Sequence, residues 1–226
     1  MVVTHHGDYH SFDVVHFLFH YNMSKSLLLD FDGVLFRNTT ALKQVERRSM
    51  EFTQNKVPGF VETPSLNYHK YGHTVHMINR LRFDQRTTLK EYNDFVFSAD
   101  TMDQIFSWID TDDLKLVDEW KMFVADTGMT PYVFSNAPSL WVHPLLERLH
   151  MVGMFEDDNV ITSDRIDCLK PSLESFEKAI DMSATDKREV WFVDDSEYNV
   201  STAKNLGIPS SLFTGSISDL YEQVVS

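Results

Sequence analysis

One cysteine, Cys168, stands in a chain of 226 residues. No internal disulfide is therefore available, and a reducing, cytoplasmic compartment is expected. Long apolar runs are missing too. The longest, "VVHFLF" and "SLLL", fall far short of the ~20 residues that a bilayer-spanning helix needs. The first residues lack a basic stretch followed by an apolar one and a small-residue cleavage site, so no signal peptide is expected. There is no internal repeat and no low-complexity tract. Positive charge is scarce: 20 Lys and Arg face 34 Asp and Glu, for a net charge of −14. That sign argues against a general nucleic-acid binder, which gains affinity by neutralising phosphates.

The scarce basic residues are concentrated. Residues 37–90 hold ten Lys/Arg against four acids, so a basic segment sits within an acidic body. Residues 1–22 differ again. Five histidines (His5, His6, His10, His16, His20) alternate there with aromatics, and the segment reads as an N-terminal extension. The pairs His6/His10, His16/His20 and His69/His73 have the four-residue spacing of zinc ligands on a helix. Gly7 opposes a helix at the first pair, and no cysteine accompanies any of them, so structural zinc is not expected.

From "KSLLLDF" onward the pattern alternates. Continuous apolar runs mark buried strands in "KSLLLDF", "TPYVFS", "NVITS", "EVWFVDD" and "SSLFTG". Helical periodicity lies between them, in "DDLKLVDEWKMFVADTG", "SLWVHPLLERLHMVG" (broken near Pro144), "PSLESFEKAIDM" and "EYNVSTAKNLG". Gly128, Gly153 and Gly207 occupy positions suited to helix C-termini. Residues 37–110 read as helical, with Thr39 or Thr40 capping "TTALKQVERRSMEFTQ". The fold class is α/β: a doubly wound parallel sheet. Residues 23–36 and 111–226 form the Rossmann-like core, and residues 37–110 form an inserted helical cap.

In such a sheet ligands bind beyond the carboxyl ends of the strands. Those ends carry Asp30, Asp32 and Gly33 after the first strand, Ser135 and Asn136 after the second, Lys170 near the third, and Asp194 and Asp195 at the fourth. Crowded carboxylates are tolerable where a divalent cation binds among them, and oxygen ligands suit Mg²⁺.

The motifs "LLLDFDGVL", "YVFSN", "LKP" and "VWFVDDS", in that order, resemble those of the haloacid dehalogenase superfamily of phosphohydrolases. The resemblance spans about residues 24–215. It implies a Rossmann-like core with a helical cap and a Mg²⁺-dependent phosphatase acting on a small phosphorylated metabolite. It makes Asp30 the nucleophile that forms an aspartyl-phosphate and Asp32 the general acid and base. Ser135 and backbone amides near Gly33 and Asn136 would hold the phosphoryl oxygens, and Lys170 would neutralise Asp30 and the phosphate. Asp30, Asp194, Asp195 and the Asp32 carbonyl would hold Mg²⁺. Superfamily members that dehalogenate lack an acid at the Asp32 position.

The cap segment "EFTQ…YHKYG…EYNDFVF" is loosely similar to that of pyrimidine 5′-nucleotidase-type members, which ranks nucleotides and sugar phosphates first as substrates. The basic cap segment suggests that Tyr68, His69, Arg80 and Arg82 face the site and bind anionic or hydrogen-bonding groups of the substrate. The alternatives are a phosphomutase, a polynucleotide end-phosphatase and a non-catalytic binding module.

Overall fold

A computed structural model describes residues 25–62, 71, 73–183 and 186–224. Five strands, β1 (Ser26–Leu29), β2 (Thr130–Phe134), β3 (Val160–Ile161), β4 (Val190–Asp194) and β5 (Ser210–Leu212), form one parallel sheet in the order β3-β2-β1-β4-β5. β1 is central because its side chains are buried on both faces. Leu27 and Leu29 join one apolar cluster, whereas Leu28 joins another on the opposite side. That is the two-residue alternation of a pleated strand. Each such leucine contributes about 1.5–3 kcal/mol by leaving water.

The Leu28 face is covered by α8 (Leu173–Ser183) and α9 (Glu197–Asn205), where Phe134, Phe176 and Phe192 pack edge-on or tilted. The opposite face is covered by α5 (Thr111–Thr127), α6 (Ser139–Arg148) and α10 (Ile217–Val224), through Trp120, Phe123, Trp141 and Leu220. A four-residue turn of helix, α7 (Ser163–Ile166), follows β3.

Among the described residues, the helices between β1 and α5 are α1 (Thr39–Lys56), α2 (Thr74–Leu81), α3 (Leu89–Val96) and α4 (Ala99–Phe106). α1 is the spine on which the other three pack, and α4 also touches α6 of the core. Phe52 of α1 meets Tyr92 and Phe95 of α3 at ring distances of 5.5 and 5.4 Å.

Three local expectations are corrected. Asn38, rather than Thr39 or Thr40, caps α1, its Oδ1 accepting from the Ala41 amide at 3.0 Å. α6 runs unbroken through Pro144. Proline removes the amide that would bond to Leu140, and Leu140 is exposed, while Trp141, Val142, Leu145 and Leu146 anchor the buried face. Gly153 does not close that helix. His150 takes the left-handed conformation (φ 56°), and Gly153 lies in a later 3₁₀ turn. Residues 1–22, with their histidines, lie outside the described residues.

Candidate active site

The winding reverses at β1. β2 and β3 lie on one side of it, and β4 and β5 on the other. The carboxyl ends of β1, β2 and β4 therefore adjoin, and their loops converge on a cavity of about 420 Å³. Asp30, Asp32, Ser135, Asn136, Lys170 and Asp195 all line it.

Asp30 leaves β1 with its amide still bonded to the Val193 carbonyl (2.9 Å), which holds it in line with the sheet. Its Oδ1 accepts from the Phe31 amide at 2.7 Å and lies 2.9 Å from Lys170 Nζ. The next residues turn sharply: Phe36 N donates to Phe31 O and Gly33 N to Phe36 O, both at 2.8 Å. Gly33 has φ +85°, and a Cβ there would run into the Asp195 carboxylate, 2.6 Å from its Cγ. Glycine is required on both counts. The Gly33 amide itself is committed to the turn through the Phe36 carbonyl.

Lys170 is 1% exposed. Its ammonium contacts Asp30 Oδ1 (2.9 Å), Asp194 Oδ2 (2.7 Å) and the Phe134 carbonyl (2.7 Å), with the rings of Phe134 and Phe192 about it. A buried ammonium is stable only when its donors are paired in this way. Burial pulls its pKa down, but Asp194 and Asp30 outweigh burial and the net shift is upward. Asn136 clamps the Lys170 backbone, its Oδ1 accepting from the amide (2.7 Å) and its Nδ2 donating to the carbonyl (2.9 Å). The Asn136 side chain thus positions Lys170. Ser135 Oγ accepts from the Ala137 amide at 3.1 Å.

Asp194 is fully buried. Oδ1 accepts from the Ser196 amide (2.8 Å) and from Asn199 Nδ2 (3.0 Å), and Oδ2 accepts from Lys170. Asp195 is more exposed and opens onto the cavity. Asp30, Asp194 and Asp195 each offer an oxygen within 4.8 Å of the others, the one such metal-competent cluster among the described residues. Burial, then the charge of Asp194, raises Asp30 well above the usual carboxylate range and lifts Asp195 to about 6. Three acids share one lysine, so the set is short of positive charge. An all-oxygen donor set of this kind fits a hard divalent cation such as Mg²⁺.

Asp32 Oδ1 accepts from Trp141 Nε1 at 2.9 Å. Burial raises this carboxyl to about 7 despite the opposing indole bond. Trp141 and Asn199, which bond Asp32 and Asp194, escaped the sequence reading. A buried indole N–H needs an acceptor, so a tryptophan early in the helix after "YVFSN" was a usable signal. Asn199, one helical turn beyond "VDDS", had none.

Of the expected cap contacts, Tyr68 and His69 lie outside the described residues. Arg80 and Arg82 do not line the cavity. Arg82 is turned to Asp84 (2.9 Å) and the Lys56 carbonyl (2.7 Å), and the Arg80 guanidinium sits 5.9 Å from the centre of the Tyr71 ring. Both reach their nearest partners on the insert itself, and the α1 face that fronts the cavity carries Leu42, Val45, Glu46 and Ser49 instead.

Solved structures share this fold at low identity. A HAD family enzyme from Bacteroides thetaiotaomicron, in complex with magnesium and inorganic phosphate, is 21% identical with a TM-score of 0.50, over 88% of this chain and 99% of that one. A putative β-phosphoglucomutase from Bacteroides vulgatus is 18% identical with a TM-score of 0.56, over 83% and 74%. The L-2-haloacid dehalogenase of Xanthobacter autotrophicus is 16% identical with a TM-score of 0.51, over 90% and 83%. No curated protein matches the sequence. The model of the haloacid dehalogenase-like hydrolases matches residues 25–207. That span contains every acid of the cavity, and the chain belongs to the haloacid dehalogenase-like hydrolase family.

Proposed function

We propose that this protein is a phosphomonoesterase, dependent on Mg²⁺, that hydrolyses a small phosphorylated metabolite through an aspartyl-phosphate on Asp30. The observation that carries the reading is the placement of Lys170 between Asp30 and Asp194, with Asp195 and Asp32 on the same cavity. Phosphoryl transfer needs an aligned nucleophile and compensation for charge on the phosphoryl oxygens.

An Asp30 oxygen attacks phosphorus while the bond to the leaving oxygen breaks. Asp32, raised to about 7 and so largely protonated below neutrality, gives its proton to that leaving oxygen. Water then attacks phosphorus, Asp32 takes the water proton, and the bond to Asp30 breaks to release phosphate. Lys170 offsets charge on Asp30 throughout, and Ser135 stands where it can bond a phosphoryl oxygen. Asp30, Asp194, Asp195 and the Asp32 carbonyl would hold Mg²⁺, which relieves the repulsion between carboxylate and phosphate. Asp194, bonded to Lys170, Asn199 and Ser196, serves chiefly to fix Lys170, so Asp195 is the more available ligand.

The carboxyl at Asp32 favours phosphate esters over the haloacid chemistry of the Xanthobacter relative, because dehalogenating members lack an acid there. The single thiol, Cys168, fits a cytoplasmic setting. The test is a phosphate-release screen over nucleotides and sugar phosphates with Mg²⁺. Release by the native chain and none by Asp30→Asn is expected. Equal release by both, or release indifferent to chelation, would refute the reading.

A further inference from the structure

The cavity has a second wall that the chemistry above leaves unused. Residues 42, 45, 46 and 49 recur at helical spacing, so one face of α1 fronts the acids with Leu42, Val45, Glu46 and Ser49. His73, Thr74, Tyr92 and Phe97 complete that wall. His73 is neutral at working pH, since burial and His76 lower it to about 3. Among the described residues lining the cavity, Lys170 is the sole Lys or Arg, and it is committed to Asp30 and Asp194.

Three hydroxyls meet in this wall. Tyr92 Oη donates to Ser49 Oγ at 3.0 Å, and Ser49 Oγ lies 3.1 Å from Thr74 Oγ1. All three residues are buried, at 6%, 4% and 4% exposure. Each hydroxyl has one proton and two lone pairs. A chain of three leaves acceptors to spare, and turning one rotor frees a donor. Such a group meets a substrate hydroxyl in either role, whereas to a phosphate or carboxylate it offers a donor but no counter-charge.

We propose that this trio reads the leaving group, and that the substrate is a monophosphate ester whose leaving group is uncharged and hydroxyl-bearing, in a cavity suited to a small ligand. The inference rests on the phosphatase reading above and narrows it. It also weighs against a mutase. Passing the phosphoryl group from Asp30 to a hydroxyl of a second monophosphate necessarily creates a bisphosphate. Among the described residues, its second phosphate would meet apolar side chains, hydroxyls and Glu46.

Two measurements decide it. The first compares kcat and KM of the native chain, Ser49→Ala and Tyr92→Phe for α-glucose 1-phosphate and for p-nitrophenyl phosphate, which carries no hydroxyl on its leaving group. The KM rise for the sugar phosphate should exceed that for the aryl phosphate by at least about fivefold, the loss of one to two hydrogen bonds. Equal rises would make the trio a packing feature and overturn the inference.

The second titrates Asp30→Asn calorimetrically with α-glucose 1-phosphate and with glucose 1,6-bisphosphate. The monophosphate should bind about tenfold tighter, as expected for an anion seated on a wall that offers it no described counter-charge. Equal or tighter binding of the bisphosphate, or no binding of either, overturns the inference. Should the native chain release phosphate from neither substrate, the phosphatase reading fails, and the calorimetric preference alone then decides the leaving-group inference.

Discussion

Trp141 Nε1 lies 2.9 Å from Asp32 Oδ1, across 109 residues of chain. The indole is fully buried, with Phe36 edge-on at 5.8 Å and Phe97 tilted at 5.3 Å. The ring thus ties the turn after β1 to the helix after β2 and to the junction between α3 and α4. It fixes the direction in which the Asp32 carboxyl points, and direction is what a proton donor needs.

Replacing Trp141 by Phe keeps most of the packing and deletes that bond. A loss of about 1–1.5 kcal/mol corresponds to a roughly tenfold fall in kcat, with a smaller change in KM. Steady-state kinetics with any substrate from the screen checks this. An unchanged kcat would remove Trp141 from the role of positioning Asp32.

Lys170→Met leaves Asp30 and Asp194 buried and facing each other without a counter-charge. Removing one partner of a buried ionic set costs about 3–5 kcal/mol, so denaturant unfolding should move strongly toward lower concentration. Adding Asp194→Asn should recover part of that stability and none of the activity. If the single variant unfolds like the native protein, Lys170 does not neutralise the cluster.

The raised carboxyls set the sign of the pH response. Asp32 at about 7, Asp195 at about 6 and the upshifted Asp30 bind protons more tightly in the folded chain than when unfolded, where such groups titrate near about 4. Their contribution is present at low pH and is lost as pH rises from about 4 toward about 7. In EDTA, Tm should fall across that window. Mg²⁺ should restore more of it at pH 7.5 than at pH 5, because ligands must be ionised, and Asp195→Asn should flatten both trends. A metal-free Tm that climbs over this window would contradict the upward shift of these acids.

Gly33→Ala puts a Cβ where the Asp195 carboxylate now sits and forces alanine to a φ of +85°. The backbone strain costs of order 1–3 kcal/mol. Displacing Asp195 should weaken Mg²⁺ binding, read by calorimetry, by more than tenfold, while circular dichroism stays native. Unaltered Mg²⁺ affinity would show that Asp195 is not a ligand.

Much of this was legible from residue order alone. Apolar runs of three to five residues ending in Asp30, Ser135 and Asp194 identify buried parallel strands, because only a strand covered on both faces tolerates such continuity. Their carboxyl ends then locate the acids, and glycine after Asp32 marks the turn. Local composition carries that information because strand burial and turn conformation are decided within a few residues.

Which partners those residues find was decided by packing. Arg80 and Arg82 lie in a basic segment, yet α2 meets the cavity through Thr74 at its start, and the rest of that wall includes Leu42, Val45, Glu46 and Ser49 of α1. The bonds of Trp141 to Asp32, of Asn199 to Asp194, and among Ser49, Thr74 and Tyr92 join elements distant in the chain. Side-chain direction across an interface depends on helix rotation and crossing, which periodicity leaves open. The amino-acid order thus specified the catalytic edge of the sheet, and the docking of the helices upon it specified what that edge meets.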